Sequence, residues 1–135
     1  MITALDSSVI LDVVMADPVH RDASLAAIQR AHRDGRLVIS DFVIAELHPV
    51  LGDSLPELLE DWQVEHVPGS RDAALHAGAL FTSWLKSGGK RGRIVADFLI
   101  AAHAHHHADR LLTRDAGFSR KHFKHLTIVT PANLR

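Results

Sequence analysis

RIVADFLIAAHAHHHADRLLTRDAGF, residues 93–118, is the stretch whose reading decides the fold. Ile94, Ala96, Phe98, Leu99, Ile100, Ala101, Ala102 and Ala104 put small or apolar side chains on most faces of a helix. That predicts a largely buried helix with Asp97 in its first turn. A buried carboxylate is costly unless a charge or a hydrogen-bond donor answers it. Arg110 to Asp115 then reads as a short apolar strand stopped by an acid, opening into a loop at Ala116-Gly117. Asp97 and Asp115 become candidates for one site.

The same alternation extends to both ends of the chain. Ile2–Leu5 reads as a buried strand ending in the polar turn Asp6-Ser7-Ser8, followed by a first helix or turn over Val9–Met15. A second, amphipathic helix is predicted from Pro18 to about Arg33, ended by Asp34-Gly35. Leu37–Ser40 is a second strand, and Asp41 is expected to cap a helix from Phe42 to about Leu51, with Pro49 tightening or ending its last turn. Pro56–Trp62 reads as a short helix and Gln63–Val67 as an edge-type strand. Ser70 opens a long helix closed by Gly88-Gly89, a short basic helical segment spans Arg120–Lys124, and Leu126–Val129 is the last strand. Most strands are continuous apolar runs, the mark of a parallel sheet covered on both faces. The expectation is an α/β chain: three α/β/α layers around a central, mostly parallel sheet of about five strands, with residues 1–135 forming a single domain.

Composition narrows the function classes. With no Cys, disulfides, thiolate catalysis and Cys-based zinc sites fall away together. The N-terminus lacks a basic leader and carries Asp6 and Asp12 inside its apolar part, so neither a signal peptide nor a membrane span is expected, and the reading is cytoplasmic. Fifteen Lys+Arg against 16 Asp+Glu give a formal net charge of -1. No global basic field is available to hold nucleic acid, so any such contact must be local. The most compact basic group runs from Lys86 through Lys90 and Arg91 to Arg93, just ahead of the Asp97 helix; it is either a solvated loop or a phosphate contact.

Ligands of parallel α/β sheets bind beyond the carboxyl ends of the strands, where strand order reverses. Asp6 and Asp115 stand at such ends, Glu46 about two turns into the helix after the second strand, and Asp97 in the first turn of the helix that precedes the Asp115 strand. All four can reach one edge. Each acid alone reads equally as a helix cap, a turn residue or a salt-bridged helix residue, so the argument rests on their joint placement. Four gathered carboxylates repel unless cations neutralise them, and oxygen-only donors suit Mg²⁺ or Mn²⁺. Such an ion can support phosphodiester hydrolysis without a nucleophilic Ser or Cys.

Four ordered blocks, Ala4–Leu11, Ser40–Leu47, Arg93–Ala104 and Leu112–Phe118, together resemble the motif blocks of PIN-domain ribonucleases, in particular VapC-type toxins. The resemblance spans nearly the whole chain. It implies a magnesium-dependent (or manganese-dependent) endoribonuclease acting on RNA, a homodimer, and inhibition by a cognate VapB-type antitoxin. By position it makes Asp6, Glu46, Asp97 and Asp115 the catalytic, metal-holding acids. Ser7, Ser40 and Thr113 become supporting hydroxyls, and Arg93 a group that orients a carboxylate or contacts phosphate. Lys86, Lys90, Arg91, Arg93 and Arg114 are the expected phosphate contacts. Ser8 stands where the family often has Asn, which leaves the hydrogen-bond support of the Asp6 turn open.

Two other features compete for attention. His103 and His107 share a helical face at i, i+4 and could chelate zinc or nickel, but a solvated helix end is the expected role of His103 to His107. His122 and His125 are expected on a basic surface, and Trp84 in the core. The alternative functions are a non-catalytic PIN-like RNA-binding module and a receiver-type phosphoacceptor domain, which would need a lysine at a later strand end.

Overall fold

The computed structural model describes residues 1–90 and 94–134; of the expected basic contacts, Arg91 and Arg93 lie outside the described residues. Among the described residues five strands form the sheet: β1 (Ile2–Leu5), β2 (Arg36–Ile39), β3 (Val64–His66), β4 (Arg110–Leu112) and β5 (Thr127–Val129). Their order is β3-β2-β1-β4-β5, and every pairing is parallel. The sequence therefore predicted the sheet type and β3's place at an edge. From β1 the chain builds outward through β2 to β3, then returns to the other side of β1 for β4 and β5. The order reverses between β1 and β4.

Among the described residues seven α-helices connect and cover the strands: α1 (Ser7–Val14), α2 (Arg21–Asp34), α3 (Asp41–Leu51), α4 (Leu55–Asp61), α5 (Arg71–Lys86), α6 (Ile94–His107) and α7 (Ala116–His122). Val38 and Ile39 at 0% exposure and Leu37 at 1% are buried on both faces, as a continuous apolar strand between helix layers requires. Phe98 of α6 is fully buried and meets the rings of Phe81, Trp84, Phe118, His122 and Phe123. Trp84 is partly buried and packs against the core, in line with its helical spacing.

Several boundaries moved for identifiable reasons. α2 begins at Arg21 rather than Pro18 because Asp17 Oδ1 accepts the amides of Val19 (2.9 Å) and His20 (2.8 Å), a local turn that competes with helix. The cap of α3 is Ser40, whose hydroxyl accepts from Val43 N at 3.3 Å. Asp41, the expected cap, instead bonds His66 and the amide of Gly69. Gly35 is a close-approach position: a Cβ there would lie 1.9 Å from the Met1 carbonyl oxygen. Arg110 carries the one charge buried within β4, and it is answered by Thr3 Oγ1 at 2.8 Å and Asp34 at 2.9 Å.

Candidate active site

Asp6 follows β1 and caps α1, so its position is set by the end of the central strand. Its amide bonds Leu112 O across the sheet at 3.0 Å. Oδ1 accepts from Ser7 N at 2.9 Å, and Oδ2 accepts from both Ser8 Oγ and Thr113 Oγ1 at 2.7 Å. Thr113, buried at the end of β4, also accepts the Asp115 amide at 3.1 Å, so one hydroxyl couples the two strand-end acids. Ser7 Oγ donates to Glu46 Oε1 at 3.0 Å, which draws α3 toward α1. Ser7 and Thr113, the supporting hydroxyls implied by the motif blocks, each hydrogen-bond an acid of the cleft.

Asp6, Glu46, Asp97 and Asp115 meet in a cleft of about 150 Å³ together with Ser7, Ser8, Thr113, Ile100, Leu111, Phe118 and Ser119. It opens at the carboxyl ends of β1 and β4, where the strand order reverses. Loss of solvent is the largest influence on Asp97, and the charges of Asp6, Asp115 and Glu46 add to it, pushing its pKa from 3.8 up to about 6. Glu46 is also raised by loss of solvent and by Asp6, against the Ser7 hydrogen bond. Among the described residues lining the cleft there is no Lys, Arg or His, and the side-chain donors are all oxygens. Among the described residues no group of three or more His, Asp or Glu side chains stands close enough together to hold a metal ion. A larger groove of about 520 Å³, between α2 and the α4–β3 connection, holds only one carboxylate, Asp61.

Ser40 does not join the acids. It caps α3 and lines a separate cavity with Asp41, Ser70, Arg71 and His103, because the cap geometry turns its hydroxyl back into its own helix. Arg114, an expected phosphate contact, places Nε and Nη2 each 3.0 Å from the two carboxylate oxygens of Asp12. Lys86 and Lys90 are exposed. His103 is a correction: it is buried, not solvated, with Nε2 2.7 Å from Val67 O, and burial holds its pKa below the usual imidazole range. Its neighbour His107 lies 3.1 Å from Ser70 Oγ. His122 is likewise partly buried against Phe98 and Phe118 rather than on a basic surface.

The open question at Ser8 resolves through hydroxyl chemistry. One hydroxyl is both a donor and an acceptor, and Ser8 Oγ donates to Asp6 while accepting the Arg114 amide at 3.2 Å. Sequence reasoning missed Asp12 as a structural acid. It is 3% exposed and also accepts from Ser24 Oγ at 2.7 Å. Its signal was present: an acid inside the apolar run Val9–Val14 must be paired if that run is buried.

Similar folds are known. The chain resembles VapBC2 from Rickettsia felis bound to a promoter DNA fragment (23% identity, 96% of this chain and 98% of that one, TM-score 0.73). It also resembles VapBC-1 from nontypeable Haemophilus influenzae (24% identity, 98% and 99%, TM-score 0.73) and FitAcB from Neisseria gonorrhoeae (22% identity, 99% and 100%, TM-score 0.67). No curated protein matches the sequence. Residues 3–124, carrying all four acids of the cleft, match the PIN domain model, and the chain belongs to the PIN domain family.

Proposed function

We propose that the chain is a divalent-metal-dependent endoribonuclease acting as the toxin of a toxin–antitoxin pair. The observation that carries the reading is the convergence of Asp6, Glu46, Asp97 and Asp115 on one cleft, with Asp97 pushed up to about 6 by lost solvent and by the other three. Among the described residues that cleft is lined by no cationic side chain, and its all-oxygen donors suit Mg²⁺ or Mn²⁺. A bound ion would stabilise charge on a phosphoryl group and make a water a better nucleophile.

The chain's own residues supply the rest. Thr113, Ser8 and the Ser7 amide hold the Asp6 carboxylate in one orientation, and Ser7 holds Glu46 beside it. Phe118, Ile100 and Leu111 give the cleft an apolar wall that limits water on one side. Lys86 and Lys90, with Arg91 and Arg93, are the proposed phosphate contacts.

The toxin role is supported by family membership and by the VapBC and FitAcB complexes that share the fold. A VapB-type antitoxin, a homodimer, a single domain and a cytoplasmic site of action follow from the same reading. Exposed Phe42 and Val50 on α3 and Leu75 on α5 leave apolar surface for such partners. Among the described residues no helix is long and apolar enough to cross a membrane. The receiver-type alternative lacks its lysine: β4 runs into Thr113-Arg114-Asp115, and β5 ends at Val129, followed by Thr130-Pro131.

Purified protein is expected to cut a structured RNA with Mg²⁺ or Mn²⁺ and to stop on chelation with EDTA. Asp6→Asn or Asp97→Asn should each lower the rate by at least ~100-fold, since each removes a charged metal donor. Cleavage surviving both EDTA and the substitutions would refute the mechanism. RNA binding without turnover at saturating Mn²⁺ would make the chain a binding module instead.

A further inference from the structure

We infer that Asp12 and Arg114 form a positioning pair that holds the end of β4, and with it Asp115, in the acidic cleft. This inference rests on the nuclease reading for its purpose, though not for its geometry. Asp115 makes no side-chain capping bond to α7, so the placement of its carboxylate depends on the backbone of residues 113–115. That backbone is held at successive points. Thr113 Oγ1 accepts the Asp115 amide, Ser8 Oγ accepts the Arg114 amide, and the Arg114 guanidinium grips Asp12 through two bonds of 3.0 Å.

The anchor itself is rigid. Asp12 is 3% exposed inside α1, and its Oδ2 also accepts from Ser24 of α2, so the carboxylate is fixed by two helices before Arg114 reaches it. A guanidinium in a two-point fork on a buried carboxylate has one favoured orientation. Swinging Arg114 out to a phosphate would leave Asp12 buried without its countercharge. The pair also closes a loop of contacts, because Ser8, which holds the Arg114 amide, donates to Asp6 at 2.7 Å. Displacing Arg114 therefore loosens the seat of Asp115 and one support of Asp6 together.

The test uses the full chain, first free of metal. In Arg114→Gln, hydrogen exchange at the amides of residues 114 and 115 is expected to quicken about tenfold while β1 amides keep their wild-type rates. The Mn²⁺ concentration giving half-saturation, read by electron paramagnetic resonance, should rise about tenfold, the usual effect of losing a residue that orients a ligand. With RNA, kcat should fall while KM stays within about twofold, since no substrate contact is removed. Wild-type exchange, or a wild-type Mn²⁺ titration, in the variant overturns the proposal; a raised KM beside either would make Arg114 a phosphate contact. If Arg114→Gln does not fold, the double variant Asp12→Asn/Arg114→Gln, which leaves no buried charge unpaired, carries the same readings. A wild-type chain that binds no Mn²⁺ and cuts no RNA fails the nuclease reading alone, and amide exchange then decides the positioning pair.

Discussion

Asp97 bears the largest electrostatic load of the cleft. Its pKa of about 6 means the folded chain holds its proton more tightly than the unfolded chain, where 3.8 applies. Folding is therefore favoured with Asp97 protonated, and metal-free stability is lost as pH rises through the interval from about 4 to about 6. A shift of this size would be worth ~3 kcal/mol in a dry site; the cleft is open to water, and screening reduces it to about 1 kcal/mol. Asp97→Asn is expected to raise the metal-free melting temperature by about 2–4 °C at pH 7, with little gain near pH 4. Calorimetry in EDTA at the two pH values checks this, and an equal gain at both would contradict it. The acids themselves were legible as residues, because strand-end Asp6 and Asp115 stop apolar runs. Arg114 was not, since its role depends on Asp12, which is distant in sequence and reaches it only across the packed α1.

At the scale of elements, α6 is the part on which the rest depends. Its first turn delivers Asp97 to the cleft, and one residue later Phe98 turns inward at 0% exposure. Neighbouring positions on a helix face different ways, so one turn serves site and core at once. Phe98→Ala is expected to destabilise the protein by about 3–5 kcal/mol, the range for emptying a large aromatic site. Denaturant unfolding would measure it, and a loss below about 1 kcal/mol would mean that Phe81, Trp84 and Phe118 collapse into the space. The histidines at the end of α6 show where local reading misled. A run of His at a helix end suggests solvent, but α5 packs along α6, and the carbonyl of Val67 waits for His103. The cap of α3 shows the opposite error in small: Ser40 and Asp41 both suit a cap, and the choice fell to Ser40 because His66 and Gly69 claim Asp41.

For the whole molecule, the consequence of the sheet order is that acids far apart in sequence converge where β1 and β4 part. A cation bound there links segments from both halves of the chain, so it should stabilise the whole fold by mass action. Mn²⁺ at about a hundredfold above its dissociation constant is expected to add ~2.7 kcal/mol, a rise of roughly 5–10 °C in melting temperature. Asp97→Asn should show less than half that rise in a thermal scan; an equal rise would place the cation elsewhere. The alternation of apolar runs with helical periods specified a mostly parallel, helix-covered sheet, because strands buried on both faces need continuous apolar side chains and parallel pairing needs helical crossovers. The same pattern marked Asp6 and Asp115, since a charge that follows a buried strand must emerge at its end, but not Glu46 and Asp97, which lie on helices. Strand order, and therefore which side chains answer one another, came from the folded chain. Asp12 with Arg114, Ser8 between Asp6 and the Arg114 amide, and His103 beneath Val67 are contacts between residues distant in sequence. Their energies depend on distances that no local pattern encodes.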